Sequence, residues 1–175
     1  LEKSLAYARH YPAVNWMTSY SEYTLELDEW FKKHVAPDFP ALRTRCSNLL
    51  QEENQLMDIV KLIGADLLAE EQKLVLETAK AIRVGFLQQN AMHETDCYVP
   101  IKKQYLMMKL IFELHDRARV LVAKQIPVSQ LKEKGIYDLL SRMKYDIPND
   151  QPEKFDELRQ KLNSLLGEIE KKYDM

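Results

Sequence analysis

Glycine is scarce in this sequence, and the shortage constrains both the fold and the kinds of site that the chain can hold. Only 4 of the 175 residues are glycine, about 2% of the chain where roughly 7% is typical. Tight turns between β-strands need backbone conformations with positive φ, which glycine adopts most readily. A sheet-rich fold is therefore disfavoured, and the sequence predicts an all-helical protein.

The positions of the glycines exclude the common nucleotide-binding loops. They are Gly64, Gly85, Gly135 and Gly167. A P-loop needs two glycines five residues apart, followed by Lys and Ser or Thr, so that backbone N–H groups can surround the phosphates. No pair of glycines here has that spacing, and neither a Gly-rich dinucleotide loop nor a Gly-x-Ser-x-Gly elbow is present. The chain carries no phosphate loop of these kinds.

The length of the chain predicts one globular domain. Its slightly negative net charge argues against a protein whose whole surface is built to bind nucleic acid. The chain weighs 20.6 kDa, its net charge is −2, and 46% of its residues are hydrophobic. Two cysteines are too few for a disulfide framework, which favours a reducing compartment. The longest apolar runs are far shorter than the roughly 20 residues of a membrane span.

Apolar side chains recur at helical spacing along most of the chain, which predicts a helical bundle built on long antiparallel hairpins. Asp38 and Ser129 are expected to cap two of the helices. Gly64 suits the end of the helix whose apolar face runs from Leu42 to Ile63. Residues 1–20 are irregular and rich in aromatic side chains, whereas residues 21–175 form the predicted bundle.

Charge is distributed unevenly along the sequence. Residues 51–72 contain six acidic side chains and one basic one, whereas residues 101–145 contain ten basic and four acidic ones. Solvated helix faces normally carry such charge. The alternative is that the two segments form contact surfaces for charged partners.

Two pairs of side chains are candidates for chemistry, and neither forms a complete site. His93 and Cys97 are four residues apart, so one helix face could present both to a metal, but a structural zinc needs four ligands. His115 precedes Asp116, yet no nucleophile motif accompanies the pair. The residues alone therefore predict neither a catalytic group nor a metal site, and a metal-dependent enzyme at His93 and Cys97 remains only an alternative.

Several segments of the chain form a recognisable set of motifs. Residues 5–21 include Arg9-His10-Tyr11-Pro12, and five further segments follow: Leu49-Leu50-Gln51-Glu52-Glu53, Ile59-Val60-Lys61-Leu62-Ile63-Gly64, Phe86-Leu87-Gln88-Gln89-Asn90-Ala91, Gln104-Tyr105 and Met143-Lys144-Tyr145-Asp146-Ile147-Pro148-Asn149. In these motifs, and in their order, the chain resembles the C-terminal part of the catalytic A subunit of V-type ATP synthases from archaea and bacteria. Residues 1–20 then correspond to the hand-over from a nucleotide-binding domain, and residues 21–175 to the C-terminal helical domain.

The resemblance implies a role in a rotary, ion-translocating ATPase. In that family, alternating A and B subunits hydrolyse or make ATP at their interfaces and turn a central stalk. The implied partners are the central-stalk protein and the B subunit, and the implied location is cytoplasmic, peripheral to the membrane. ATP or ADP with Mg²⁺ belongs to the parent subunit; this chain lacks the P-loop, so we expect it to bind no cofactor and to be inactive alone.

The resemblance also implies two sites. In F-type relatives an acidic segment at the hairpin tip pushes on the rotor, and the matching positions here are Asp66, Leu67, Leu68, Glu70 and Glu71. Leu68 departs from the family's pattern, as does the neighbouring Ala69. A tip with carboxylates and exposed leucines suits a salt-sensitive, sliding contact with a partly basic coiled coil.

The second implied site is an adenine pocket formed by Gln89, Asn90, Ala91 and Met92. Relatives have an aromatic residue where this chain has Met92, whose thioether can still pack on an adenine face. A helix over residues 73–92 is predicted to connect this pocket to the hairpin tip, as a lever between chemistry and torque.

An alternative function is a stand-alone helical adaptor that binds a partner through residues 101–145 and the C-terminal heptads. The sequence does not begin with Met, so we expect it to be a piece of a longer protein. The reading frame upstream of Leu1 separates the two functions, because the ATPase requires a P-loop there and the adaptor a start codon. The sequence leaves open whether protons or sodium ions are translocated.

Overall fold

The computed structural model describes residues 1–173, and within this range the chain forms eight α-helices and no β-strand. The helices are α1 Lys3–Tyr7, α2 Thr24–His34, α3 Phe39–Ile63, α4 Glu70–Ile82, α5 Ile101–Ala123, α6 Val128–Glu133, α7 Ile136–Asp146 and α8 Lys154–Tyr173. The prediction of an all-helical bundle is confirmed.

Helices α3 and α4 form the predicted antiparallel hairpin. Pro40 lies in the first turn of α3, where its missing N–H costs no helical hydrogen bond. The helix ends at Gly64, whose φ of 84° is readily available only to glycine. A 3₁₀ turn over Ala65–Leu67 then reverses the chain into α4.

Helix α4 lies at the centre of the bundle, between α3 and α5. Ala79 and Ala81 are almost completely buried on it, and these small side chains let the neighbouring helices approach closely. Helices α7 and α8 cover the other faces of α4 and α5. Large, fully buried side chains from these helices and from α6 fill the core, among them Phe112, Phe155, Leu74, Ile82, Met107, Ile111, Leu131 and Leu140.

The two predicted helix caps are wrong, because the Asp38 side chain makes no capping hydrogen bond and Ser129 lies inside α6 and not at its N-cap. Asp38 stands at the N-cap of α3, but its Oδ1 accepts a hydrogen bond from the Tyr105 hydroxyl at 2.8 Å instead of capping the helix. Helix α6 begins at Val128, one residue before Ser129. The carboxylate of Glu70 accepts the Val128 N–H at 2.7 Å, so a residue distant in sequence bonds to the N-terminus of this helix.

The predicted helix over residues 73–92 ends early. Regular α-helix stops at Ile82, a π-helical turn covers Arg83–Leu87, and the chain then leaves the helix. Gly85 lies against α7 at this turn, where an added Cβ would be only 3.0 Å from the carbonyl oxygen of Leu140. Residues 88–92 therefore belong to a loop and not to the helix that precedes them.

Candidate functional site

A cavity of about 500 Å³ opens beside the loop that follows Leu87. Its lining residues are Tyr11, Pro12, Gln88, Gln89, Asn90, Ala91, Cys97 and Tyr145. Three of the four residues predicted for the adenine pocket, namely Gln89, Asn90 and Ala91, therefore lie together. Met92 is 95% exposed and is not among the lining residues.

Hydrogen bonds from the backbone hold the near wall of this cavity, residues 88–91. The Gln89 N–H donates to the carbonyl oxygen of Tyr11 at 2.7 Å, which joins the wall to the N-terminal segment. The Asn90 N–H donates to Oδ2 of Asp96 at 2.7 Å. Gln89, Asn90 and Ala91 are exposed, and two of their side chains also bond within the loop: Gln89 Nε2 donates to the carbonyl oxygen of Asp96 at 3.3 Å, and Asn90 Oδ1 accepts the Met92 N–H at 3.0 Å.

Two buried lysines lie behind the wall. Lys144 is 2% exposed, and its Nζ is 3.5 Å from Oδ2 of Asp96, which is 1% exposed. The same ammonium group donates a hydrogen bond to the carbonyl oxygen of Gln88. Lys103 is also buried, and burial lowers the pKa of its ammonium group while the Asp96 carboxylate partly opposes that shift.

Lys103 helps to hold the other side of the loop in place by bonding to Asn149. Its Nζ donates to the carbonyl oxygens of Lys144 at 2.9 Å and Ile147 at 2.6 Å, and to Oδ1 of Asn149 at 2.9 Å. The Asn149 amide in turn donates to the carbonyl oxygens of Thr95 at 3.1 Å and Tyr98 at 2.8 Å. The Lys144–Asp96 and Lys103–Asn149 side-chain pairs are thus linked through the backbone carbonyl of Lys144, and these four residues are here called the loop clamp.

The cavity offers aromatic rings and amides, and its lining includes no charged side chain. Such a lining suits a planar, uncharged heteroaromatic group, because rings provide stacking surface and amides provide both donors and acceptors. Tyr11 and Tyr145 were missed as lining residues. Both lie in segments that carry the family resemblance, Tyr11 in Arg9-His10-Tyr11-Pro12 and Tyr145 in the segment from Met143 to Asn149, but nothing in the sequence marks either one as a neighbour of residue 89.

His10 is buried next to Tyr11, one of the residues that line the cavity. It is 8% exposed, and its ring packs edge-on against Trp16 with the ring centroids 5.1 Å apart. Burial lowers the pKa of this histidine, and the nearby positive charges of Arg83 and Lys144 lower it further. His10 is therefore a neutral packing residue at pH 7.

The residues predicted to contact the rotor surround the α3–α4 turn, but the structure gives them different environments. Asp66 and Glu71 are exposed, and Leu67 is 74% exposed. Leu68 is 6% exposed, so its side chain anchors the turn from within. Glu70 bonds to Lys73 at 2.9 Å and to the Val128 N–H, and these two bonds lower the pKa of its carboxyl.

Exposed apolar side chains surround the same turn and were not predicted as part of the site. Leu62 is 85% exposed, Ile63 48% and Ile59 40%, all in the last turns of α3. The apolar face of α3 was expected to be buried as far as Ile63. The last turns of α3 are instead exposed, and their apolar side chains, together with Leu67, form an apolar tip bordered by carboxylates.

The other candidate residues make contacts typical of structural groups. His93 Nδ1 accepts the Thr95 N–H at 3.2 Å, and Cys97 Sγ donates to the carbonyl oxygen of Glu94 at 3.3 Å. His115 Nδ1 lies 2.8 Å from Oγ1 of Thr78 in the core. Among residues 1–173 no three His, Cys, Asp or Glu side chains converge as a metal site would require.

Many bases between residues 101 and 145 pair with acids of the same chain. The pairs are Lys109 with Asp38, Lys124 with Glu170, Lys132 with Glu77, Lys134 with Glu168, Arg142 with Asp146 and Lys144 with Asp96. These pairings favour solvated helix faces over a contact surface for an acidic partner. In the described part of the chain, no helix is long and apolar enough to cross a bilayer.

Comparison with known proteins gives one consistent family. The family model for the C-terminal domain of V and A type ATP synthases matches residues 28–132. The V-type ATP synthase alpha chain 2 of Clostridium tetani is 44% identical over 173 residues, which cover 99% of this chain and 29% of that relative. The V-type alpha chain of Halothermothrix orenii is 42% identical with the same coverage, and the V-type alpha chain of Clostridium botulinum (strain Langeland) is 41% identical over 97% of this chain and 28% of its own length.

Proposed function

The chain belongs to the family of C-terminal domains of V- and A-type ATP synthases, and from this premise we propose that it links a nucleotide site to a rotating partner. It spans less than a third of the length of the curated relatives it matches. We propose that the parent subunit hydrolyses or makes ATP with Mg²⁺ at its interface with the B subunit, which drives ion translocation. This chain supplies no catalytic residue in that reaction and is inactive alone.

One observation carries the proposal: the cavity and the apolar tip lie at opposite ends of one helical rod. Helix α4 and the π-helical turn run without interruption from Glu70 to Leu87. A helical rod of this length spans roughly 25 Å. Because α4 packs against both α3 and α5, a displacement at the cavity end moves the tip as part of the same packed unit.

The cavity end supports recognition of an adenine ring. A volume of about 500 Å³ is ample for a purine, and the Tyr11 and Tyr145 side chains line it beside the amides of Gln88 and Gln89. The phosphates would be held by another part of the parent subunit, since the sequence contains no phosphate loop. Gln89, Asn90 and Ala91 are proposed as contacts to the base, and Met92 as a residue at the mouth that could close over it.

The tip end supports a weak, salt-sensitive contact with the central-stalk subunit. Asp66 and Glu71 provide exposed negative charge, and Leu67 provides exposed apolar surface. Exposed charges attract a partner at long range but contribute little to holding it. A rotating interface requires this combination, because each contact must be broken during every turn. Buried Leu68 supports the tip from within, and Glu70 joins its base to α6 by accepting the Val128 N–H.

The nucleotide site can be tested through Cys97, which is exposed and lines the cavity. We expect ATP to slow alkylation of Cys97 by iodoacetamide at least several-fold in the assembled enzyme containing the full-length subunit. The measurement is the rate of modification of the Cys97 peptide, followed by mass spectrometry with and without nucleotide. Equal rates in both conditions would contradict the nucleotide site.

Cys46 is the internal control for this experiment. It is buried in α3, and burial raises the pKa of its thiol to about 12. The thiolate is the reacting form, so Cys46 should remain unmodified in both conditions. Modification of Cys46 would show that the protein had unfolded during the reaction.

A further inference from the structure

We propose that Asp96 and Lys144 are positioning residues for the nucleotide pocket, and that they set nucleotide affinity by fixing the backbone of residues 88–90. Lys103 and Asn149 complete the loop clamp on the opposite side of the same loop. The inference rests on the proposed nucleotide site, and the experiments below separate the failure of one from the failure of the other.

The polar partners of the two buried charges point to this role. Asp96 accepts the Asn90 N–H, and Lys144 donates to the carbonyl oxygen of Gln88. The two side chains face each other at 3.5 Å. A single ion pair therefore holds the backbone on both sides of Gln89, the residue at the centre of the wall.

The far side of the loop is held in the same way. Lys103 fixes Asn149, and the Asn149 amide donates to the carbonyl oxygens of Thr95 and Tyr98 on either side of Asp96. A second bond supports the near side, since Gln89 Nε2 donates to the carbonyl oxygen of Asp96 at 3.3 Å. Polar side chains thus hold the loop backbone from both of its sides.

Apart from the bond between the Gln89 N–H and the Tyr11 carbonyl oxygen, which ties the wall to the N-terminal segment, the wall has no apolar packing to hold it in place. The side chains of Gln89, Asn90, Ala91 and Met92 are all exposed, so no apolar anchor in this stretch packs into the core. A buried ion pair adds little net stability compared with apolar residues of similar volume. Its hydrogen bonds have defined directions, however, so it can specify one backbone position where apolar packing would allow several.

The first experiment is Asp96→Asn in the full-length subunit of the assembled enzyme. We expect the KM for ATP to rise roughly tenfold with kcat changed less than twofold, because a displaced wall weakens ground-state and transition-state binding alike. Asn149→Ala is the milder second variant, since Asn149 lies in a turn outside the core. It should raise the KM in the same direction, by about threefold.

The double variant Asp96→Asn/Lys144→Met separates positioning from stability. Asp96→Asn alone leaves Lys144 buried without its anion, which should lower the melting temperature. Removing the ammonium group as well should restore much of that loss. The KM should nevertheless stay raised, because the bond to the carbonyl oxygen of Gln88 is gone. A KM that recovers together with the melting temperature would overturn the proposal.

Thr78→Val is the matched control for core damage. It removes the buried hydrogen bond to His115, on the part of α4 that does not line the cavity. The proposal requires its KM to stay within about twofold of the native value. A KM as high as that of Asp96→Asn would show a general effect of lost stability.

The native enzyme tests the proposed nucleotide site separately from the loop clamp. If ATP fails to protect Cys97, the nucleotide site is wrong. If ATP protects Cys97 but the KM is unchanged in Asp96→Asn and Asn149→Ala, only the loop clamp is rejected.

Discussion

His115 shows how a single buried side chain makes the stability of the bundle depend on pH. Its environment contains Thr78 at 2.8 Å, the Arg45–Asp116 ion pair and the charge of Arg119. Burial, reinforced by Arg45, lowers the pKa of this histidine from its ordinary value of 6.5 to about 4. The folded chain therefore keeps His115 neutral at pH values where the unfolded chain has already bound a proton.

The sign of the effect follows from proton binding. Between pH 6.5 and about 4 the unfolded state binds more protons at this site, so the free energy of unfolding falls as the pH is lowered through that window. We expect His115 to account for about 2 kcal/mol of the loss between about pH 7 and pH 4.5. Urea unfolding of the chain at the two pH values measures the total loss.

His115→Gln isolates that contribution from those of the carboxylates. The variant should be less stable than the native chain at neutral pH, because glutamine fills the site less well. Its loss of stability on acidification should, however, be smaller than the native loss by about 2 kcal/mol. Equal pH dependence in both proteins would mean that His115 is not kept neutral by folding.

At the scale of elements, the absence of a side chain at Gly85 allows the π-helical turn to pack closely against α7. A Cβ at this position would lie 3.0 Å from the Leu140 carbonyl oxygen and 3.1 Å from the Ser141 Cα, and both are backbone atoms that cannot simply rotate away. We expect Gly85→Ala to destabilise the chain by about 1–3 kcal/mol through overpacking. Thermal or urea unfolding of the chain measures the change.

Gly167→Ala is the matched comparison within the same fold. Gly167 lies in the interior of α8, and a Cβ there has no atom within 4 Å. Alanine has the higher helix propensity, so this substitution should stabilise the chain by roughly 0.5–1 kcal/mol. Opposite signs for the same chemical change would show that the contact with α7, and not the loss of glycine itself, determines the outcome at residue 85.

These two glycines also show what the sequence could and could not predict. Apolar spacing predicted the long helices and the α3–α4 hairpin, because periodicity records which face of a helix is buried. It did not predict that α4 gives way to a π-helical turn, nor that Gly85 at this turn lies against Leu140, because periodicity carries no information on contacts between residues far apart in the chain. The family resemblance brought Gln89, Asn90 and Ala91 into one site. The loop clamp was missed because Lys103, Lys144 and Asp96 become neighbours only through the packing of α5 and α7.

At the scale of the whole molecule, the proposed function needs the two ends of the bundle to differ in rigidity. At the cavity end, the buried Asp96–Lys144 ion pair holds the loop backbone in place, whereas the tip carries exposed charges and exposed leucines. The structure also refines which tip residues a test should change. Glu70 bonds to Lys73 and to the Val128 N–H, so its substitution would disturb the junction between α4 and α6 and obscure any effect on a partner.

The informative change at the tip is therefore Asp66→Lys/Glu71→Lys with Glu70 retained. Each exposed charge contributes about 0.2–1 kcal/mol to a contact, so reversing two should weaken binding of the central-stalk subunit roughly tenfold at low salt. The difference should shrink at about 0.5 M salt, because screening acts on exposed charges first. Glu153→Lys/Glu157→Lys makes the same change in net charge at exposed positions beside and within α8, and it should leave binding unchanged. Binding that is unchanged in both variants would contradict the tip contact, whereas equal weakening in both would show that net charge alone attracts the stalk.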